Sequence, residues 1–298
     1  MFALIFPVIA PVLVAAAIGY TWARAGRPFD TETVTNLVLT VGVPFLVVDV
    51  LMNADISPDA MGEMAVAAVI SLVGSALVGW VVLKMLGQPI QAFLPSMIFG
   101  NTGNMALPLC LFAFGADGLA LAIGYFTIVI VVQVSGTTLI SSNERNWRSI
   151  VQNPMAWAAL LALSLKFSGF TLPLWIENTV HLLGAMTIPI MLIALGVSLA
   201  RLKVTSLGHS LFLGGLKIVL GFGLGYATVL LLDLHGIARG VVLVQSSMPA
   251  AVFNYLFAAK FNQRPEEVAG VVILSTLVSF VTLPLLLWVA MEGTVVAN

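Results

Sequence analysis

The chain has 298 residues, of which 60% are hydrophobic and only 8% charged, against about 45–50% and about 25% in ordinary soluble domains. A water-facing globule is excluded, because its surface needs charge that this chain lacks, and a mean hydropathy of +1.09 agrees. Twelve Lys and Arg against 13 Asp and Glu give a net charge of -1, which leaves no basic field for nucleic acid.

A bilayer core about 30 Å thick takes roughly 20 helical residues per crossing. Polar and turn-forming residues divide the chain into stretches of about that length at 2–23, 31–53, 62–86, 90–115, 118–140, 154–170, 173–200, 206–232, 236–260 and 266–291. The expected fold is therefore an all-α polytopic membrane protein with ten transmembrane helices. Gly26-Arg27-Pro28, Ser57-Pro58-Asp59, Gly87-Gln88-Pro89 and Asn153-Pro154 punctuate the early boundaries, as chain-turning residues should. Span one has its first basic residues, Arg24 and Arg27, after its apolar run. A secretory leader places charge before that run, so a retained span is expected.

Charge placement supports the count. Arg24, Arg27, Lys84, Arg145, Arg148, Arg201, Lys203, Lys260 and Arg264 fall in odd-numbered connections. Lys166 and Arg239 fall in even ones, and Lys217 lies inside span eight. Cytoplasmic loops are the basic ones, so the odd connections are expected inside and both termini outside.

The halves resemble each other at one offset. Pro44 pairs with Pro189, and Leu111-Phe112-Ala113 with Leu256-Phe257-Ala258, each 145 positions apart. Five spans per copy would reverse the second copy in the membrane, giving a five-plus-five inverted repeat, a common plan of secondary transporters. The expected organisation is 1–140 for the first repeat, 141–153 for a short cytoplasmic linker and 154–298 for the second repeat.

Two spans oppose continuous helix. Span four contains Gly100-Asn101-Thr102-Gly103-Asn104-Met105-Ala106-Leu107-Pro108, and span nine contains Gln245-Ser246-Ser247-Met248-Pro249-Ala250-Ala251-Val252-Phe253-Asn254. Pro108 and Pro249 each remove a ladder hydrogen bond. Unwound backbone at that depth must be buried in protein or line a wet cavity. Broken helices also bring free N–H groups to mid-membrane, where they suit a small anion such as a carboxylate. Paired interruptions in corresponding halves point to a binding site. The plainer alternative is two proline kinks with asparagines bonding between helices.

The same residues resemble a known family. Gly100-Asn101-Thr102-Gly103-Asn104 with Leu107-Pro108 is similar to the fourth-span motif of the auxin efflux carriers. Ser247-Met248-Pro249-Ala250-Ala251 with Asn254, Thr282-Leu283-Pro284-Leu285, and Gly196-Val197-Ser198-Leu199 resemble their later spans. The resemblance implies a fold akin to bile acid–sodium symporters, with crossing broken helices and scaffold and transport parts each drawn from both repeats. It implies a carrier of small organic anions, either dicarboxylates or auxin-like aromatic carboxylates, in a bacterial cytoplasmic membrane. By the same resemblance, Asn101, Thr102, Asn104, Ser247 and Asn254 contact substrate, while Gly103, Pro108 and Pro249 keep the crossover geometry.

Several polar outliers remain. Lys217, near mid-depth of span eight, is expected to neutralise a substrate carboxylate, to pair with an acid, or to snorkel to an interface. Asp49, near the outer end of span two, is a proton or cation site, a partner for Lys217, or an interfacial aspartate. Gln133 and Asn36 read as helix–helix contacts, and His181 as a satisfied hydrogen-bonding residue. Gly221-Phe222-Gly223-Leu224-Gly225 superficially resembles a nucleotide loop, but no strand precedes it and it reads as a close-packing face.

Cys110 stands alone, which excludes an intramolecular disulfide and a multi-cysteine metal site. No Walker sequence and no nucleophile–base pair is present, so no enzyme activity, cofactor or metal is expected. The coupling ion, proton or sodium, is open, and a homodimer is compatible with the sequence. The alternative function is a membrane-embedded sensor that uses the same pocket without net transport.

Overall fold

The computed structural model describes residues 2–54, 56–142 and 154–292. The linker expected at 141–153, with Arg145 and Arg148, lies almost wholly outside the described residues. The regular elements are helices: α1 (Phe2–Arg24), α2 (Thr31–Asn53), α3 (Pro58–Met85), α4 (Ile90–Ile98), α5 (Leu107–Ser142), α6 (Pro154–Phe167), α7 (Leu174–Arg201), α8 (Leu207–Leu231), α9 (Gly236–Ser246), α10 (Val252–Lys260) and α11 (Pro265–Met291). Local chemistry explains their ends. Asp30 accepts from the Glu32 and Thr33 N–H groups to cap α2. Ser57 caps α3 ahead of Pro58, and Pro265 opens α11 with Glu266 and Glu267 in its first turn, where negative charge meets the helix dipole.

Among the described residues, seven helices are long and apolar enough to cross a membrane: α1, α2, α3, α5, α7, α8 and α11. Span six is the 14-residue α6. Spans four and nine are each split. Span four is α4, a π turn at Thr102–Ala106 and the start of α5; span nine is α9 and α10. α5 then bends at Gly115, whose φ of 71° is one that glycine adopts without a Cβ penalty. Its second leg, 116–142, corresponds to span five.

The helices associate in two sets. In one, α1 lies along the second half of α7, while α2 packs on α6 and the first half of α7. In the other, α3 packs on α4, α5 and α8, and α11 gathers α8, α9 and α10. The sets meet where α7 faces the π turn at Thr102–Ala106. Large buried side chains, among them Phe93, Phe99, Met105 and Leu109, surround the junction of α4 and α5. Val14, Leu77, Val219 and Val281 are exposed, and so extended an apolar surface suits lipid.

Close backbone approach is the packing device. A Cβ on Gly19 would stand 1.9 Å from the Ile193 carbonyl oxygen, and one on Gly196 would stand 1.9 Å from that of Ala16. Van der Waals packing of this kind replaces the hydrophobic drive that lipid cannot provide. In α8, the glycine run indeed forms a packing face. A Cβ on Gly221 would lie 2.3 Å from the Ser246 carbonyl oxygen, whereas one on Gly223 would meet nothing within 4 Å. Gly221→Ala is therefore expected to lower stability by about 1–3 kcal/mol through overpacking. Gly223→Ala should be neutral or stabilising by up to about 1 kcal/mol. Thermal melting of the two variants in one detergent checks the contrast.

Candidate functional site

The two interruptions meet. Residues 99–101 and 247–251 leave the helical conformation, and Gly100 faces Ala250 across an isolated antiparallel bridge. The Asn101 N–H donates to the Pro249 carbonyl at 2.7 Å, and the Ala251 N–H donates to that of Phe99 at 3.1 Å. A Cβ on Gly100 would lie 3.1 Å from the Met248 carbonyl oxygen, so glycine lets the strands approach. Pro249 occupies the extended stretch, where its missing N–H breaks no helical ladder. Ahead of Pro108 the helix widens into the π turn, and the Leu107 N–H reaches back to the Thr102 carbonyl.

Side chains lock this crossing. Asn254 Nδ2 donates to the Phe99 carbonyl at 3.0 Å, and Gln133 Nε2 donates to Asn254 Oδ1 at 3.3 Å. The Ser275 hydroxyl of α11 accepts from the Ala250 N–H at 3.1 Å. Gln133 is the interhelical contact that its place in the sequence suggested. Asn254 thus bonds both backbone and Gln133, and Ser247, just past the end of α9, donates to the Leu243 carbonyl.

Lys217 is 2% exposed, so it does not snorkel. Its Nζ donates to the Met97 carbonyl at 3.0 Å and lies 3.4 Å from that of Ile98. These carbonyls end α4, and a cation there complements the negative end of the helix dipole. Pairing with Asp49, one of the alternatives open from the sequence, does not form. Asp49 Oδ2 lies 3.0 Å from His181 Nδ1, and its other oxygen accepts from Asn53 at 3.3 Å. Beside that pair, Lys166 Nζ donates to the Leu51 and Ala54 carbonyls at the end of α2.

Two cavities border the crossing. A small one is lined by Thr102, Tyr125, Lys217 and Gln245. Thr102 Oγ1, Gln245 Oε1 and Asn101 Nδ2 are buried without a hydrogen-bond partner among the described residues. A larger cavity, about 220 Å³, is lined by Asn104, by Val252 and Phe253 at the start of α10, by Thr31 of α2 and by Ser198 and Arg201 of α7. Here Asn104 is half-buried. Just before α2, the Thr33 hydroxyl and backbone N–H hold the Asp30 carboxyl below its usual carboxylate range.

The five residues expected to contact substrate thus divide. Asn104 faces the larger cavity, Thr102 faces the smaller one, and Asn101 is buried. Ser247 and Asn254 support the backbone. Arg201 and Gln245 entered the sequence reading only as a loop charge and as part of the broken span. The positive-inside pattern accounts for Arg201 without invoking a site, so nothing in the sequence marks it as cavity-lining.

Comparison with known proteins agrees with this architecture. Residues 134–287, from within α5 to within α11, match the family described as membrane transport protein. The chain belongs to this family, which includes the auxin efflux carriers. An uncharacterized transporter of Methanocaldococcus jannaschii is 23% identical over 302 residues, covering 94% of this chain and 97% of its own. One from Methanothermobacter thermautotrophicus is 26% identical, covering 92% of this chain and 94% of its own. Auxin efflux carrier component 8 of Arabidopsis thaliana is 28% identical over 143 residues, 46% of this chain and 39% of its own. In this carrier-family chain the matched region contains Arg201, Lys217 and the second interruption.

The Lys217 contacts carry a prediction. Lys217→Met keeps the stem but strips the last carbonyls of α4 of their buried donor, a loss of about 1–3 kcal/mol. Thermal melting of the purified variant should fall accordingly, and unchanged melting would contradict the capping role.

Proposed function

We propose that this chain is a secondary transporter of small organic anions that works by alternating access around the crossing of its two interrupted helices. The observation that carries this reading is the position of the larger cavity. It lies at the boundary between the helix sets, with Asn104 and the start of α10 on one wall and α2 and α7 on the other. Rocking of one set against the other would expose such a site to each side in turn, as in other carriers built from broken helices.

In this reading α1, α2, α6 and α7 are the scaffold, and α3–α5 with α8–α11 are the transport part. The ten spans form two inverted repeats, and the halves of spans four and nine cross at mid-membrane. Basic residues assign the odd connections to the cytoplasm and both termini to the outside of a bacterial cytoplasmic membrane. Arg201, at the end of α7 and the rim of the cavity, then puts the opening on the cytoplasmic side. Asn104 and the N-terminal turn of α10 are the polar elements nearest the crossing that a carboxylate would meet.

Purified protein in liposomes is expected to move labelled carboxylates, and imposed pH, sodium and voltage gradients identify the coupling ion. Asn104→Ala should reduce flux at least about tenfold while eluting and melting as the parent does. Ligand binding with no flux under any gradient would contradict transport and favour a sensor.

A further inference from the structure

Away from the crossing, a further cavity separates the two helix sets. Its volume is about 510 Å³ and its walls come from four helices. Leu51 of α2 and Leu160 of α6 belong to one set, and Met61 and Gly62 of α3 with Ile128 and Val132 of α5 belong to the other. Among the described residues no charged side chain lines it, and its one wall hydroxyl, that of Thr127, donates to the Ile123 carbonyl at 2.8 Å. A buried water needs about two to four polar partners, so these walls do not retain water. Left empty, a space of this size would forfeit dispersion contacts for every residue around it. Gly62 is exposed, and a Cβ on it would meet nothing within 4 Å, so α3 leaves the cavity open at this point. Leu160 is 57% exposed and Val132 is 39% exposed. The cavity is therefore continuous with the apolar surface that suits lipid.

We propose that this cavity is a binding site for one acyl chain of a membrane phospholipid, which enters past Gly62 and Leu160 and fills the gap between the helix sets. The bilayer supplies such chains at the opening, and the walls match them in chemistry. They offer dispersion contacts and no charge, so the chain is recognised and the headgroup is not. A helix from a second copy of this chain fits less well. With side chains it is about 10–12 Å across, so about one turn of it would fill the 510 Å³. Because the walls belong to both sets, a lodged chain braces one set against the other. The site stands apart from the cavity beside Asn104 and requires no transport, so its test is read without flux.

The test uses full-length protein in nanodiscs that contain phosphatidylethanolamine or phosphatidylglycerol with a photoreactive diazirine midway along one acyl chain. After illumination, peptide mass spectrometry locates the labelled residues. Labelling should concentrate on 61–65, 128–132 and 160–163, exceeding that at the lipid-facing Val219 and Val281, which are 69% and 81% exposed. Both headgroups should give the same pattern. Gly62→Phe puts a ring into the cavity and should remove the excess labelling there while leaving Val219 labelled as before. Ala65→Leu, on the same wall, should reduce the excess in part and keeps the test decisive if the larger substitution does not fold. Gly223→Phe, at a glycine of α8 with equally open surroundings, should leave the excess unchanged. Cavity labelling no denser than that at Val219, or an excess that survives in the folded filling variants, would overturn the site. An excess seen with one headgroup alone would overturn recognition through the chain.

Discussion

Everything near the centre of this molecule follows from one constraint: backbone that leaves the helix inside a membrane must find its hydrogen bonds in protein. The two interruptions meet it by using each other. The Asn101 N–H donates to the Pro249 carbonyl and the Ala251 N–H donates to that of Phe99. Asn254 adds a second donor to the Phe99 carbonyl, Ser275 accepts from the Ala250 N–H, and Lys217 donates to the Met97 carbonyl. Each unpaired group would otherwise cost on the order of several kcal/mol, so these contacts are conditions for having a broken helix at all. Once the breaks are paired, the start of α10 is held beside Asn104, and a cavity at the boundary of the two helix sets becomes available for a ligand.

The same economy governs charge. Three basic residues depart from the one-sided pattern of the other nine, and each is bonded to the end of a helix. Lys166 donates to the last carbonyls of α2, and Lys217 does so at the end of α4. Arg239 donates to the Val289 and Glu292 carbonyls at the end of α11. Those carbonyls lack partners in their own helices and carry the negative end of the dipole. A chain with few charges thus assigns its exceptional cations to helix termini.

Much of the fold was legible in the sequence because membrane helices announce themselves by length and hydropathy, and their ends by proline and glycine. The boundaries of α1, α2, α7, α8 and α11 fall within a few residues of expectation, and both interruptions lie where polar and proline-rich segments placed them. The direction of side chains at those interruptions was less legible. Helical periodicity assigns faces only where the backbone is helical, so it says nothing about residues 99–101 or 247–251. The resemblance names Asn254 and Ser247 as substrate contacts, and in the structure Asn254 bonds to the Phe99 carbonyl and to Gln133, and Ser247 to the Leu243 carbonyl. Arg201 was concealed by an adequate simpler reason for its presence. The capping of α4 by Lys217 joins residues 120 positions apart, and no local pattern encodes such a pair.

Residue-resolved hydrogen–deuterium exchange in lipid nanodiscs tests the central claim most directly. The Asn101 and Ala251 amides, though outside any helix, should exchange as slowly as the buried α11 amides at Val271 and Val272. Rapid exchange at Asn101 and Ala251, on the timescale of the exposed turn at Gly169 and Phe170, would mean that the interruptions are solvated separately rather than paired with each other, and would contradict the account.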